Sequence, residues 1–169
     1  MITRFYMDLK SKRTVPKYIK RLKKIWDKRD VVIIEGDKSR LGVGNDLFNN
    51  MKSIQRIICP AFNAFNYYEN IINAVKTKVS RDKLILIALG PTATALAYDL
   101  YKLGYQALDV GHVDIEYEWY LRKAQKKINI KNKFVNEAGG YQEDSSSAKD
   151  KNYYLQILVN ISHLITLKK

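Results

Sequence analysis

The sequence is short of several things, and each shortage excludes something. It holds a single cysteine, Cys59, so no disulfide can close within the chain and no zinc-finger cysteine pattern exists. Cys59 sits in the apolar run RIICP, where it reads as a small buried hydrophobe. No apolar stretch reaches the roughly 18 residues of a membrane helix. The opening residues, MITRFYMDLKSKR, lack the apolar centre of a secretory signal. These shortages together point to a cytoplasmic chain. Acids are also scarce: 17 Asp and Glu stand against 30 Lys and Arg, a formal charge of +13.

The excess charge lies in residues 10–29, in 122–133 and at Lys168 and Lys169. Lysine-rich solvated faces explain such runs, and the functional alternative is a face that touches anionic lipid or an acidic partner. No RNA-binding aromatic signature is present, so nucleic acid is not an expected partner. The length of 169 residues fits one domain over 1–169, and a hydrophobic fraction of 46% is enough for a core.

Strand and helix patterns alternate along the chain. Thr14 offers a cap and Pro16 a first-turn residue for a helix whose Tyr18, Ile19, Leu22, Ile25 and Trp26 recur at helical spacing. Arg4 and Asp8 before it read as an exposed salt-bridged pair. Residues 31–34 form a β-branched run of the kind found in buried parallel strands. Residues 53–59 make a second strand, and a helix with Tyr67, Tyr68, Ile71, Ile72 and Val75 on its core face follows Asn63. KLILIAL at 83–89 is the clearest strand, leading into a helix through Leu96, Ala97, Leu100 and Leu103 that Gly104 ends. Residues 105–111 are a fourth strand and 129–135 a short fifth. Residues 139–150 read as a polar loop with Ser145, Ser146 and Ser147, and 153–166 as a strand or a helix, undecided by periodicity. This order predicts an α/β fold with a mostly parallel sheet flanked by helices.

Three polar stretches follow predicted strand ends, where open α/β sheets bind ligands. The first runs from Glu35 through Asp37, Arg40, Gly42, Gly44 and Asn45 to Asp46. Arg40 suits a phosphate or carboxylate, and the glycines allow close approach. An ordinary turn with Asn45 or Asp46 capping a helix is the alternative. The second is Gly90, Pro91, Thr92, Ala93 and Thr94, a glycine turn into a helix start. There, amides, dipole and hydroxyls suit an anion; a plain helix start with Thr92 as cap is the alternative. The third is His112, Asp114, Glu116 and Glu118. The D-x-E pair Asp114 and Glu116 offers two hard oxygens for a Mg²⁺-type ion, while acids in a first helical turn also serve as dipole partners. An anion cradle beside paired carboxylates predicts a phosphorylated or nucleotide ligand held with a divalent metal.

The runs EGDKSRLGVGNDLF, SIQRIICPAFNAF, LIALGPTATALAYDLYKLGYQALDVGHVDIEYEWY and KFVNEA resemble the C-terminal part of bacterial glycosyltransferases of the GT-D fold. That family was long known as a domain of unknown function. The resemblance covers about residues 3–138 and, more weakly, the C-terminus. It implies a Rossmann-like fold, a UDP-sugar donor such as UDP-glucose, and a glycan or glycoprotein acceptor such as a serine-rich repeat adhesin. It also implies a D-x-E motif for Mn²⁺ or Mg²⁺, matched here by Asp114 and Glu116. Position at strand ends adds Arg40, Asn45, Gly90, Thr92, Thr94 and His112 at the donor. The general base is left among Glu35, Asp37 and Asp46. Family domains carry a further N-terminal segment with an RFGDGE-type motif, which residues 4–8 here do not match. The chain therefore reads as the C-terminal portion of a larger domain, with a second copy or a partner chain completing it. A noncatalytic binding or assembly subunit is the alternative.

Overall fold

The computed structural model describes residues 3–143 and 151–162. Helix α1 spans Val15–Lys23, with Val15, Ile19 and Leu22 buried on one stripe and basic residues opposite. Thr14 takes the cap position but makes no side-chain capping bond. The chain before it is tied down instead by Lys12, whose ammonium donates to the carbonyls of Tyr6, Met7 and Leu9. Arg4 pairs with Glu137 at 2.5 Å rather than with Asp8, which is exposed.

Strand β1 (Asp30–Gly36) is flanked by β2 (Ser53–Cys59) and later by β3, both parallel to it. After β2, Asn63 turns the chain with a φ of 53° into a single 3-10 turn, Ala64–Tyr67, and then α2 (Tyr68–Lys78). Strand β3 (Leu84–Ala88), helix α3 (Pro91–Lys102), strand β4 (Gln106–Asp109) and helix α4 (Val113–Leu121) follow. A two-residue antiparallel pair, β5 (Phe134–Val135) with β6 (Gly140–Tyr141), lies apart from the main sheet. A short helix, α5 (Lys151–Leu155), precedes β7 (Ile157–Asn160), which pairs in parallel with β2. The main sheet has the order β4-β3-β1-β2-β7 and every pairing in it is parallel.

The sheet's two faces bury alternate residues of each strand, as a period of two requires. Val31, Ile33, Leu84 and Leu86 face α1 and α4. Val32, Ile34, Ile85 and Ile87 face α2 and α3. Both sides are covered, which is why these strands read as continuous apolar runs. Among the described residues no helix is long and apolar enough to cross a membrane.

Two expectations change. Residues 129–135 do not join the main sheet: only Phe134 and Val135 are extended, and the segment is a loop whose Ile130 plugs the core beside α4. The C-terminal stretch divides into α5 and β7, because a turn at Gln156 breaks one apolar run into two elements. The serines at 145–147, residues 163–166 and the final lysines lie outside the described residues.

Candidate active site

Strands β1 to β4 end on one edge, and the strand order reverses between β1 and β3. Ligands of open parallel sheets bind at such a reversal. A cavity of about 590 Å³ opens there. Gly36 and Ser39 enter it from the end of β1, residues 61–65 from β2, 88–92 from β3, and Gly111, His112, Asp114 and Ile115 from β4. Phe134 and Asn136 complete the wall.

One side of the cavity is aromatic. Phe62 and Phe65 are 61% and 62% exposed, which is unusual for side chains of that size. Phe62 meets Phe134 edge to face at 5.5 Å, and the Lys38 ammonium lies over Phe62 and Tyr141. Paired exposed rings at a concave site offer flat apolar area to a ligand.

The neighbouring side is the start of α3, with Gly90 in the cap position at φ 53°. Pro91 has no N–H, and the amides of Thr92 and Ala93 already close turns onto the carbonyls of Leu89 and Gly90. The positive end of the helix dipole and the Thr92 hydroxyl are therefore what this end presents to an anion, rather than a row of open amides. Thr92 lines the cavity. Thr94 points elsewhere: it is exposed and its hydroxyl donates to Asp109 at 2.9 Å.

Helix α4 carries the three acids, and all are buried: Asp114, Glu116 and Glu118 are 2%, 0% and 3% exposed. The first-turn acids thus do not face solvent. Asp114 Oδ1 accepts from the Gly42 amide (3.0 Å) and Asn45 Nδ2 (2.8 Å), while Oδ2 faces the Lys133 ammonium at 2.6 Å. Lys133, itself buried, also contacts Glu118 at 3.1 Å. Burial raises the Glu118 carboxyl, but Lys133, Asn45 and Arg122 outweigh it and leave it below the usual carboxylate range. Glu116 Oε2 accepts the amides of Tyr6 and Met7 at 2.7 and 2.8 Å, and its Oε1 has no hydrogen-bond partner among the described residues.

This geometry tests the paired-ligand expectation for Mn²⁺ or Mg²⁺. Residues two apart on a helix point to opposite sides. Asp114 borders the cavity, whereas Glu116 turns towards residues 6 and 7. Both Asp114 oxygens are engaged, and among the described residues no three His, Cys, Asp or Glu side chains form a metal-holding group. The pair does not fit one ion in this arrangement.

The three acids weighed as general base also separate. Glu35 is fully buried, ion-paired to Arg56 at 2.5 Å and bonded by the Leu41 amide at 2.7 Å. Burial pushes its carboxyl upward, with Arg56 opposing. Arg56 also donates to the Leu41 carbonyl and to Gln156, so this pair clamps the loop after β1 and is closed to substrate. Asp46 is exposed but lies away from the cavity, tied to Lys23 and the Tyr117 hydroxyl. Asp37 is exposed and falls in sequence between cavity residues Gly36 and Ser39, without lining the cavity itself. Arg40, at φ 49°, stacks over Tyr153 at 5.3 Å and does not line the cavity. Asn45 reaches the site only through Asp114 and Glu118.

The loop needs its glycine at position 42. A Cβ there would stand 2.4 Å from the Phe48 ring, and φ is +72°. Gly42→Ala should therefore lower stability by about 1–3 kcal/mol and loosen the Asp114 contact; denaturant unfolding measures it, and a loss under 0.5 kcal/mol would refute the tight packing.

His112 caps α4 on the cavity wall, with Nε2 3.7 Å from Glu137 Oε1. Burial lowers its imidazole below the ordinary 6.5, Glu137 pulls it up, and Arg4 lowers it further. Above that ordinary value neither the folded nor the unfolded state holds the proton. As pH falls below it, the unfolded chain binds a proton first, so stability drops towards the folded value. The stability difference between wild type and His112→Gln should shrink on going from pH 7.5 to pH 5.5, read by thermal melts; a difference that grows on acidification contradicts the sign.

Of the sequence-derived candidates, the cavity gathers Gly90, Thr92, His112 and Asp114. It leaves out Glu35, Asp37, Arg40, Asn45, Asp46, Thr94 and Glu116. It adds Ser39, Phe62, Asn63, Phe65, Phe134 and Asn136. The two phenylalanines carried a signal: they fall just past a strand end and outside the helical stripe that begins at Tyr67.

A parallel sheet flanked by helices, with a cleft at its switch point, defines an α/β protein of Rossmann-like architecture. The glycosyltransferase GT-D fold family model matches residues 1–138, and the chain belongs to that family. It is 44% identical over 161 residues to a probable glycosyl transferase Gly of Streptococcus gordonii, covering 95% of this chain and 23% of that protein. Against glycosyltransferase GlyD of Streptococcus pneumoniae the identity is 41%, over 95% of this chain and 19% of the relative. A solved structure described as a highly conserved domain of unknown function with a distinct glycosyltransferase fold superposes with a TM-score of 0.87. Its identity is 42%, over 95% of this chain and 57% of that one. A new glycosyltransferase from Streptococcus sanguinis gives 0.88 at 42%, over 95% and 59%. The chain thus spans under a quarter of the curated relatives and under three fifths of the solved ones.

Proposed function

We propose that the cleft binds a UDP-sugar, with UDP-glucose as the leading candidate, for transfer of its hexose to a glycan on a protein or polysaccharide. The observation that carries this is the joining of an exposed aromatic wall to a helix start in one cavity at the sheet's switch point. Phe62 and Phe65 offer stacking area to the base. The α3 dipole and Thr92 favour the diphosphate, which gains negative charge as it leaves. His112 and Asn136 offer polar groups to the hexose.

Among the three acids, Asp37 is exposed and flanked in sequence by cavity residues Gly36 and Ser39, and it is the base this reading assigns for the acceptor hydroxyl. The sugar–phosphate bond breaks as the hydroxyl oxygen bonds the anomeric carbon, and Asp37 takes the hydroxyl proton.

The sheet edges favour a second reading. Strand β7 has no outer partner among the described residues. Leu155, 83% exposed, sits beside it. A second copy or a separate chain joining there would make this polypeptide a binding subunit of a larger transferase.

A UDP-release assay with UDP-glucose and a glycan acceptor tests both. It is run with Mn²⁺, with Mg²⁺ and with chelator, and with and without the N-terminal portion of a relative added in trans. Acceptor-dependent release that Asp37→Asn lowers at least tenfold supports the first reading. Release that appears only on addition in trans supports the second, and no release in any arm removes the transferase assignment.

A further inference from the structure

We infer that the outer face of α1 is an adsorption surface for an anionic lipid bilayer. Lys17, Lys20, Arg21 and Lys24 recur at three and four residues, and all are exposed. They lie opposite the stripe of Val15, Ile19 and Leu22 that α1 gives to the core. Arg13 and Lys28, also exposed, prolong the row at either end. Helix α1 itself holds no acid. The nearest acids are Asp8 and Asp27 beyond its ends, and Asp46, which is held by Lys23.

A second basic stretch lies on the same side of the sheet. Trp119, Ala124 and Ile130 share the core cluster of α1, and between them Lys123, Lys126 and Lys127 are exposed. Exposed apolar side chains stand among these charges: Leu9, Ile25 and Leu121 are 40%, 37% and 46% exposed.

The apolar stripe of α1 is committed to the core, so the helix does not insert. Attraction comes from the lysine and arginine row, with Leu9 and Ile25 touching the headgroup region. A single-stranded nucleic acid would want aromatic platforms among the cations. Among the described residues the exposed tyrosines are Tyr98 and Tyr101 on α3, across the sheet, and Tyr154 on α5, outside both basic stretches. Lysines with exposed aliphatics and without exposed aromatics fit lipid phosphates better than bases.

Co-flotation of the whole chain tests this, using vesicles of phosphatidylcholine alone or mixed with phosphatidylglycerol. Binding should require the anionic lipid and weaken steeply with salt. Lys17→Glu, Lys20→Glu and Lys24→Glu combined should reduce the bound fraction at least tenfold. Lys76→Glu, Lys78→Glu and Lys102→Glu combined, which change net charge equally on the α2–α3 side, should leave most of it. The corresponding Lys→Gln set serves if the charge-reversed α1 variant fails to fold. Equal loss from the two triple variants, no binding to anionic vesicles, or tighter binding to oligouridine at the same salt would each overturn the inference.

Discussion

Lys133→Met should lower the unfolding free energy by about 3–5 kcal/mol, the usual result of removing one partner from a buried ion pair. The Lys133 ammonium is 4% exposed and lies 2.6 Å from Asp114 and 3.1 Å from Glu118, whose side chains are 3% and 4% exposed. Glu118 keeps Arg122, but Asp114 keeps only the neutral donors Gly42 and Asn45. Methionine fills the volume and leaves the carboxylate desolvated without a counter-charge. For a chain of this size each kcal/mol shifts the melting temperature by about 2–4 °C, so a fall on the order of 10 °C is expected. Adding Asp114→Asn should recover much of it, because the amide removes the stranded charge. A single variant that loses under 1 kcal/mol would show that Lys133 does not neutralise the site.

The second large effect is on ligand. Ala61 is half-buried on the cavity wall and packs over Gly36, 3.2 Å from where a Cβ would stand. Ala61→Trp should fill the cleft between the β1 and β2 ends and weaken UDP at least a hundredfold, about 2.7 kcal/mol. Thr94→Phe, placed outside the cavity beside Asp109, should leave binding near wild type. Equal affinity in all three proteins would place the nucleotide elsewhere.

The alternation of apolar runs made β1, β2, β3, α3 and the parallel sheet legible, because each run is local and its period is set by backbone geometry. The position of the cleft followed from strand ends, and Gly90, Thr92, His112 and Asp114 followed with it. What stayed hidden rests on contacts between distant residues. Nothing local in EGDKSR says that Glu35 will meet Arg56 across a strand pair, or that Lys133 will meet Asp114. The acids of α4 read as a metal-ligand pair or as dipole partners of a helix start; here the helix is buried and its charges are met by residues 6 and 7, by Gly42 and Asn45 and by Lys133. Residues 129–135 have a strand's composition, but burial of Ile130 against α4 competes with pairing and prevails. Glu35 acquires a different role from the base its position suggested: with Arg56 it holds Leu41, next to Gly42, whose amide meets Asp114.

The central claim is that the strand-end cleft is a nucleotide site. Amide chemical-shift mapping with UDP tests it most directly. Saturable shifts should concentrate at residues 36–39, 61–65, 88–92 and 111–115 and be absent from Ala61→Trp. Shifts centred on the basic face of α1, or none at saturating UDP, would contradict it.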